Sequence, residues 1–232
     1  AVILGFDLAG AARFMVIANA FVFAMATSAL ILLLGRLRGV TPESFILVGI
    51  ALMSFFGAFT ALLQFIATED QLMRVVHWTF GTLTGSTWNN TGLVLAISAV
   101  SLPLLLRLAW DLNAMASGGD EVAASLGVRC GRVRVLCMLT ASLITATVIS
   151  FTGLIGFVGL VAPHITRSLS GSDHRYLIPF SALTGAVLLL LGDTIGRTAF
   201  TPAIIPVGIV TSFIGAPFFL YLLMTRKGQY WQ

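Results

Sequence analysis

Between Phe14 and Leu34 the chain carries no charged residue; only Asn19, Thr27 and Ser28 break an otherwise apolar run. The same holds from Phe45 to Ala67, Gly92 to Leu106, Tyr176 to Gly192 and Ala203 to Met224. A bilayer core takes about 20 apolar residues in helical form, and a helix satisfies its own backbone there. Uncharged runs recurring at this length restrict the chain to an all-α, polytopic membrane protein. Composition agrees: 58% of the residues are hydrophobic and 9% charged, with mean hydropathy +1.00. Soluble domains carry roughly 25% charged residues. A soluble enzyme, a nucleic-acid binder and a disordered chain are excluded together. The net charge of +4 does not restore the nucleic-acid reading. Lys227 is the one lysine, and the arginines lie scattered at the ends of apolar runs rather than in a patch.

The stretch from Val135 to His164 is too long for one perpendicular span and too short for two, and is interrupted near Ser150 to Gly153. It reads as one full helix followed by a short helix returning through the protein interior, which gives seven spans. Charge supports the split. With the start of the first span outside, Arg36, Arg38, Arg107, Arg129, Arg132, Arg134, Arg167, Arg175, Arg226 and Lys227 all fall in the cytoplasm. Only Arg13, Arg74 and Arg197 fall outside, as the positive-inside bias requires. The C-terminus is then cytoplasmic. The chain opens Ala1-Val2-Ile3-Leu4, without Met or a signal-peptide pattern, and reads as the middle of something longer. Cys130 and Cys137 flank a predicted cytoplasmic loop and are expected to stay reduced.

Two stretches are neither spans nor simple loops. Residues 68–83 begin with Thr68, Glu69 and Asp70, and place Leu72, Val75, Val76 and Thr79 at helical spacing. They predict an amphipathic helix at the outer interface, with Trp78 and Trp88 as anchors and His77 as an interface residue. Residues 110–134 form the longest polar segment, on the cytoplasmic side. Two short helices joined at Gly118-Gly119 fit it. The second opens with Asp120-Glu121 at its positive end, is expected to bury Val122 and Leu126, and stops at Gly127. Such a hairpin suits docking in a groove of a soluble partner; a solvated surface hairpin is the alternative.

The centres of the spans lack the ionisable groups that mark ion and proton pathways. A charge there costs about 2.5–3.5 kcal/mol on insertion scales. Asp193 and Arg197 both sit at the outer end of a span. This argues against a proton-driven transporter. An intramembrane enzyme would need a nucleophile with its base, or paired ligands. His77, His164 and His174 are dispersed over an outer helix, a helix end and a loop, and no metal site or cofactor is expected. A P-loop requires a lysine after a Gly-rich turn, whereas Lys227 follows Thr225-Arg226, so energy for uphill movement must come from a partner. Gly153, Gly156 and Gly159 with Pro163 mark the short helix as a mobile element beside a pathway or as static small-residue packing. Gly81-x-x-x-Gly85 reads as packing.

The segment Leu112 to Val128 resembles the coupling helices of FecCD/BtuC-like permeases, the membrane subunits of ATP-binding-cassette importers for iron–siderophores, haem and cobalamin. The resemblance continues through Gly153 to Arg167, Ser172 to Pro179, Gly192-Asp-Thr-Ile-Gly-Arg197 and Ile205 to Leu223. It covers essentially the whole chain, with Ile204 standing where the family commonly has an acid. It implies a single permease domain over residues 1–232, matching the fourth to tenth of ten family spans, so that the first three are absent. It also implies a second permease subunit, two cytoplasmic ATPases and an outer substrate-binding protein, in the cytoplasmic membrane. Asp120, Glu121, Val122, Ala123, Ser125, Leu126 and Gly127 would meet the ATPase, and Arg197 the binding protein. Gly153, Gly156, Gly159 and Pro163 would belong to a gating or pathway element. The span from Phe45 to Ala67 would line the pathway, and His164 and Arg167 would be structural. A zinc- or manganese-type permease and a non-transporting scaffold are the alternatives.

Overall fold

The computed structural model describes residues 12–37, 42–199 and 201–225. Every regular element among them is a helix: α1 (Ala12–Leu37), α2 (Pro42–Phe65), α3 (Glu69–Thr79), α4 (Trp88–Arg107), α5 (Ala109–Ser125), α6 (Cys130–Thr152), α7 (Val158–Ser170), α8 (His174–Thr198) and α9 (Val207–Thr225). By length and apolarity, Leu47–Phe65, Trp88–Arg107, Cys130–Thr152 and His174–Thr198 can each cross a membrane. Ala18–Ile31 within α1 and Val207–Tyr221 within α9 are further apolar stretches. The all-α, polytopic membrane reading therefore stands. Of the seven expected spans, α7 is the one that falls furthest short of crossing length. Its 13 residues rise about 20 Å, against a core of about 30 Å. Arg38, Arg226 and Lys227 lie outside the described residues.

The chain divides into two compact units. The first comprises residues up to Trp78 with Arg134–Phe151 and contains α1, α2, nearly all of α3 and most of α6. Within it α1 packs on α2. Gln71 reaches back over the start of α3, its Oε1 accepting from the Thr68 backbone N–H at 3.1 Å as in one half of a capping box, and the Thr68 carbonyl accepts the first helical bond from Leu72 N at 2.8 Å. Acids Glu69 and Asp70 fill the first turn. The helix ends at Thr79, four residues before the expected limit, because Gly81 turns the chain with φ +64°.

The second unit holds Thr79–Val133 and the chain from Thr152 onward. Here α8 is the hub, packing against α7, α9, α5 and α4. Small residues permit this: Gly185, Gly192 and Gly196 are the buried glycines of α8, with Val158 and Ala162 of α7 beside the first. At one end three backbones meet. Thr82 N donates to Thr152 O at 2.7 Å, and Gly208 N donates to Gly81 O at 3.3 Å. A Cβ on Gly208 would overlap the Phe80 carbonyl oxygen, and one on Gly81 the Leu154 carbonyl oxygen. Gly81 is therefore a close-approach residue in a turn, not half of a helical small-residue motif.

The expected interruption after Val135 is present but displaced. α6 runs through Thr152, the chain is non-helical from Gly153 (φ +72°) to Phe157, and α7 continues to Ser170. His164 consequently sits in mid-helix rather than at its end, while Arg167 lies in the last turn. The sequence marks the glycines that permit the break. It does not mark Phe157, whose left-handed backbone (φ 65°) starts α7 although it is not glycine.

Candidate functional site

The hairpin is one helix bent at a single residue. Gly119, with φ 73° and ψ −175°, separates Ala109–Gly118 from Asp120–Ser125. Only glycine adopts that conformation without strain. The second arm stops by paired backbone bonds. Val128 N donates to Ala123 O at 3.0 Å and Gly127 N donates to Ala124 O at 2.9 Å, with Gly127 at φ +87°. This is the glycine C′ stop of a Schellman motif. The predicted boundaries of the arm are thus correct.

Its inward face is not as predicted. Val122 and Leu126 are 48% and 69% exposed, whereas Ala123 is fully buried. So short an arm has one position turned squarely inward, and a methyl group there lets the backbone lie close to the unit. Val122 rests beside Gly118, where an added Cβ would come within 2.6 Å of its own Cβ. Val122 and Leu126, four residues apart, therefore form an outward apolar pair. Asp120, Glu121, Ser125 and Gly127 are exposed around it, and Ser125 Oγ donates to Val122 O at 2.7 Å. Asp120 O accepts from Cys130 Sγ at 3.5 Å.

The first arm is held by groups that the sequence reading did not single out. Asn113 Nδ2 donates to Asp173 Oδ1 at 2.8 Å. Asn113 Oδ1 accepts from His174 N at 2.9 Å and lies 2.7 Å from His174 Nδ1. Asp173 is the N-cap of α8, accepting from Arg175 N at 3.0 Å. Its carboxylate also accepts from Arg175 Nε at 2.9 Å. The Arg175 guanidinium and then the Asn113 amide hold the Asp173 carboxyl well below the usual carboxylate range. The guanidinium lies 4.2 Å from the centroid of the Trp110 ring, a cation–π contact worth about 0.5–1 kcal/mol at an exposed site. Trp110 and Asn113 on α5 thus grip Asp173, His174 and Arg175 at the start of α8.

At the other end of α8, Arg197 Nε donates to Asp193 Oδ2 at 2.6 Å, an i,i+4 ion pair whose arginine side chain is 44% exposed. Ile204, beyond that helix end, is 57% exposed. The remaining predicted residues belong to α7 and the break before it. Gly153 and Gly156 fall in the break before α7, and Gly159 and Pro163 on α7, with Pro163 four residues after Gly159. Beside them α7, α8 and α9 enclose a half-open apolar cavity of about 180 Å³, walled by Phe157, Val161, Leu191, Ile195 and Ile214. Arg167 Nε is buried without a hydrogen-bond partner among the described residues. No group of three His, Cys, Asp or Glu that could hold a metal occurs among the described residues.

The fold as a whole is shared with a solved transporter. A metal-chelate type ABC transporter solved in an inward-facing conformation superposes with TM-score 0.84 at 32% identity, over 97% of this chain and 70% of that one. A Methanocaldococcus jannaschii protein named as an ABC transporter permease is 49% identical over 211 residues, covering 91% of this chain and 60% of the relative. The cobalamin import system permease BtuC of Halobacterium salinarum is 41% identical over 191 residues, covering 82% and 51%. The chain thus spans about half to three-fifths of the length of these two relatives. The FecCD transport family model matches residues 1–225, and the chain belongs to that family.

Proposed function

We propose that this chain is the membrane-spanning permease subunit of an ATP-binding-cassette importer for an iron–siderophore, haem or cobalamin-type substrate, with residues 1–232 as one permease domain. It works in the cytoplasmic membrane with a second permease subunit. Cytoplasmic ATPases supply the energy, and an extracytoplasmic binding protein delivers the substrate. The arm from Asp120 to Gly127 docks the ATPase. Arg197 meets a carboxylate of the binding protein, a charge-assisted contact that orients docking. The break and short helix carrying Gly153, Gly156, Gly159 and Pro163 form part of the gate.

The observation that carries this reading is the outward Val122–Leu126 pair on an arm whose only buried residue is Ala123. A solvated hairpin gains nothing from presenting two aliphatic side chains to water after the acids Asp120 and Glu121. A hairpin seated in a partner's groove buries them, at about 1.5–3 kcal/mol for each fully covered side chain. Kinship with permeases named for ABC import, together with the uncharged span centres, supports the rest.

The test is ATP-driven uptake by the permease as expressed from its gene, reconstituted with its ATPase and binding protein. The combined substitution Glu121→Arg, Leu126→Asp is expected to abolish stimulated ATP hydrolysis and to cut uptake at least about tenfold, the equivalent of one lost apolar anchor. Uptake and hydrolysis at the unsubstituted level would refute the docking role. Supplying chelated iron, haem, cobalamin and free zinc or manganese as separate loads identifies the substrate.

A further inference from the structure

Docking at a short arm leaves open how its displacement reaches the opposite face of the membrane. We propose that Asn113 is a positioning residue that latches the hairpin to the start of α8, so that α8 moves with the hairpin as one rod. This rests on reading Asp120–Gly127 as the ATPase-docking arm.

Asn113 spends both halves of its amide on α8: Nδ2 donates to Asp173 Oδ1, and Oδ1 accepts from the His174 N–H. A side chain of this size needs a donor and an acceptor side by side to do both. Aspartate keeps the second contact but sets two carboxylates against each other. Arg175, held by Asp173 and lying over Trp110, fastens the same two turns a second time. Ala109 on one side of the latch and Ala123 on the other are buried and keep α5 against the unit, with Gly119 bending the helix between latch and arm, so the arm and the latch belong to one bent helix. Above it, α8 runs for 25 residues, about 37 Å, longer than a bilayer core of about 30 Å. Its buried glycines seat it against α7 and α9, and its far end carries the Asp193–Arg197 pair. A push on the arm thus has a continuous hydrogen-bonded and close-packed route to the residue proposed to meet the binding protein. Such a route carries coupling only if breaking it changes coupling.

The experiment uses the permease reconstituted in nanodiscs with its ATPase. It measures the ATPase dissociation constant separately from stimulation of ATP hydrolysis by the loaded binding protein. Asn113→Asp is expected to keep the dissociation constant within about threefold and to reduce stimulation at least about fivefold, the lower edge of typical coupling effects. Combining it with Asp173→Asn exchanges the two groups, so that an amide on α8 donates to a carboxylate on α5. That carboxylate still accepts from the His174 N–H, and the double variant is expected to restore stimulation to within about twofold. Asn113→Ala breaks the latch without like charges and is expected to behave as Asn113→Asp does, which covers misfolding of the charged variant. Unchanged stimulation in Asn113→Asp and Asn113→Ala would overturn the proposal. So would a double variant as impaired as the single one. Normal ATPase binding by Glu121→Arg, Leu126→Asp would instead sink the docking reading and leave the latch data interpretable on their own.

Discussion

Single residues decide whether the arm is presented outward and whether it is held. Asp173 is the most informative, because Arg175 and Asn113 both stabilise its charged form. A carboxyl whose folded pKa is depressed contributes in full above its ordinary value, near pH 4, and loses that contribution as pH falls through the more acid folded range. In a variant with Trp78, Trp88 and Trp231 replaced by phenylalanine, the fluorescence of Trp110 is expected to show a transition at acid pH, below about pH 4. Asp173→Asn should remove that acid transition; a Trp110 transition unaltered by it would place the titrating group elsewhere. None of this was legible from spacing. Asn113 and Asp173 lie 60 residues apart and look like ordinary loop polar residues until the fold brings them together. The misassigned side of Val122 and Leu126 has a different cause. Periodicity finds the apolar face of a helix but cannot tell a face turned toward the unit from one turned toward a partner.

At the scale of elements the sequence was more telling, because the signals are backbone ones. Gly119 and Gly127 mark the bend and the stop of the hairpin through positive φ values that other residues resist. The break after α6 was readable from Gly153 and from the charge balance, yet its far boundary was not, since Phe157 starts α7 against its own preference. These bends hold the arm as a rigid object. Gly119→Ala forces a Cβ into a conformation that costs about 1–3 kcal/mol. It is expected to accelerate amide exchange in Asp120–Leu126 by roughly tenfold or more, with exchange in α8 unchanged. Equal exchange in both proteins would mean that the bend is not what orders the arm.

The molecule as a whole follows from where charge is absent. Uncharged runs define helices long enough to cross a bilayer, and α8 gathers its unit around buried glycines, with the hairpin at one end and Arg197 at the other. Fold class and family were visible in those runs and in the segments from Leu112 to Val128 and from Gly153 onward. The linkage between the two ends of α8 was not, being a property of side-chain geometry across distant segments. The central claim is that the arm from Asp120 to Gly127 seats in an ATPase on the cytoplasmic side. Its most direct test is crosslinking in membranes with a maleimide–benzophenone reagent, whose maleimide takes the one thiol and whose benzophenone inserts on irradiation into whatever lies against it, with Cys130 and Cys137 replaced by serine and one cysteine carried either at Leu126 or at Ser86 in the exposed turn before α4. The account predicts a permease–ATPase product from Leu126→Cys and none from Ser86→Cys; a product from Ser86→Cys alone would contradict it.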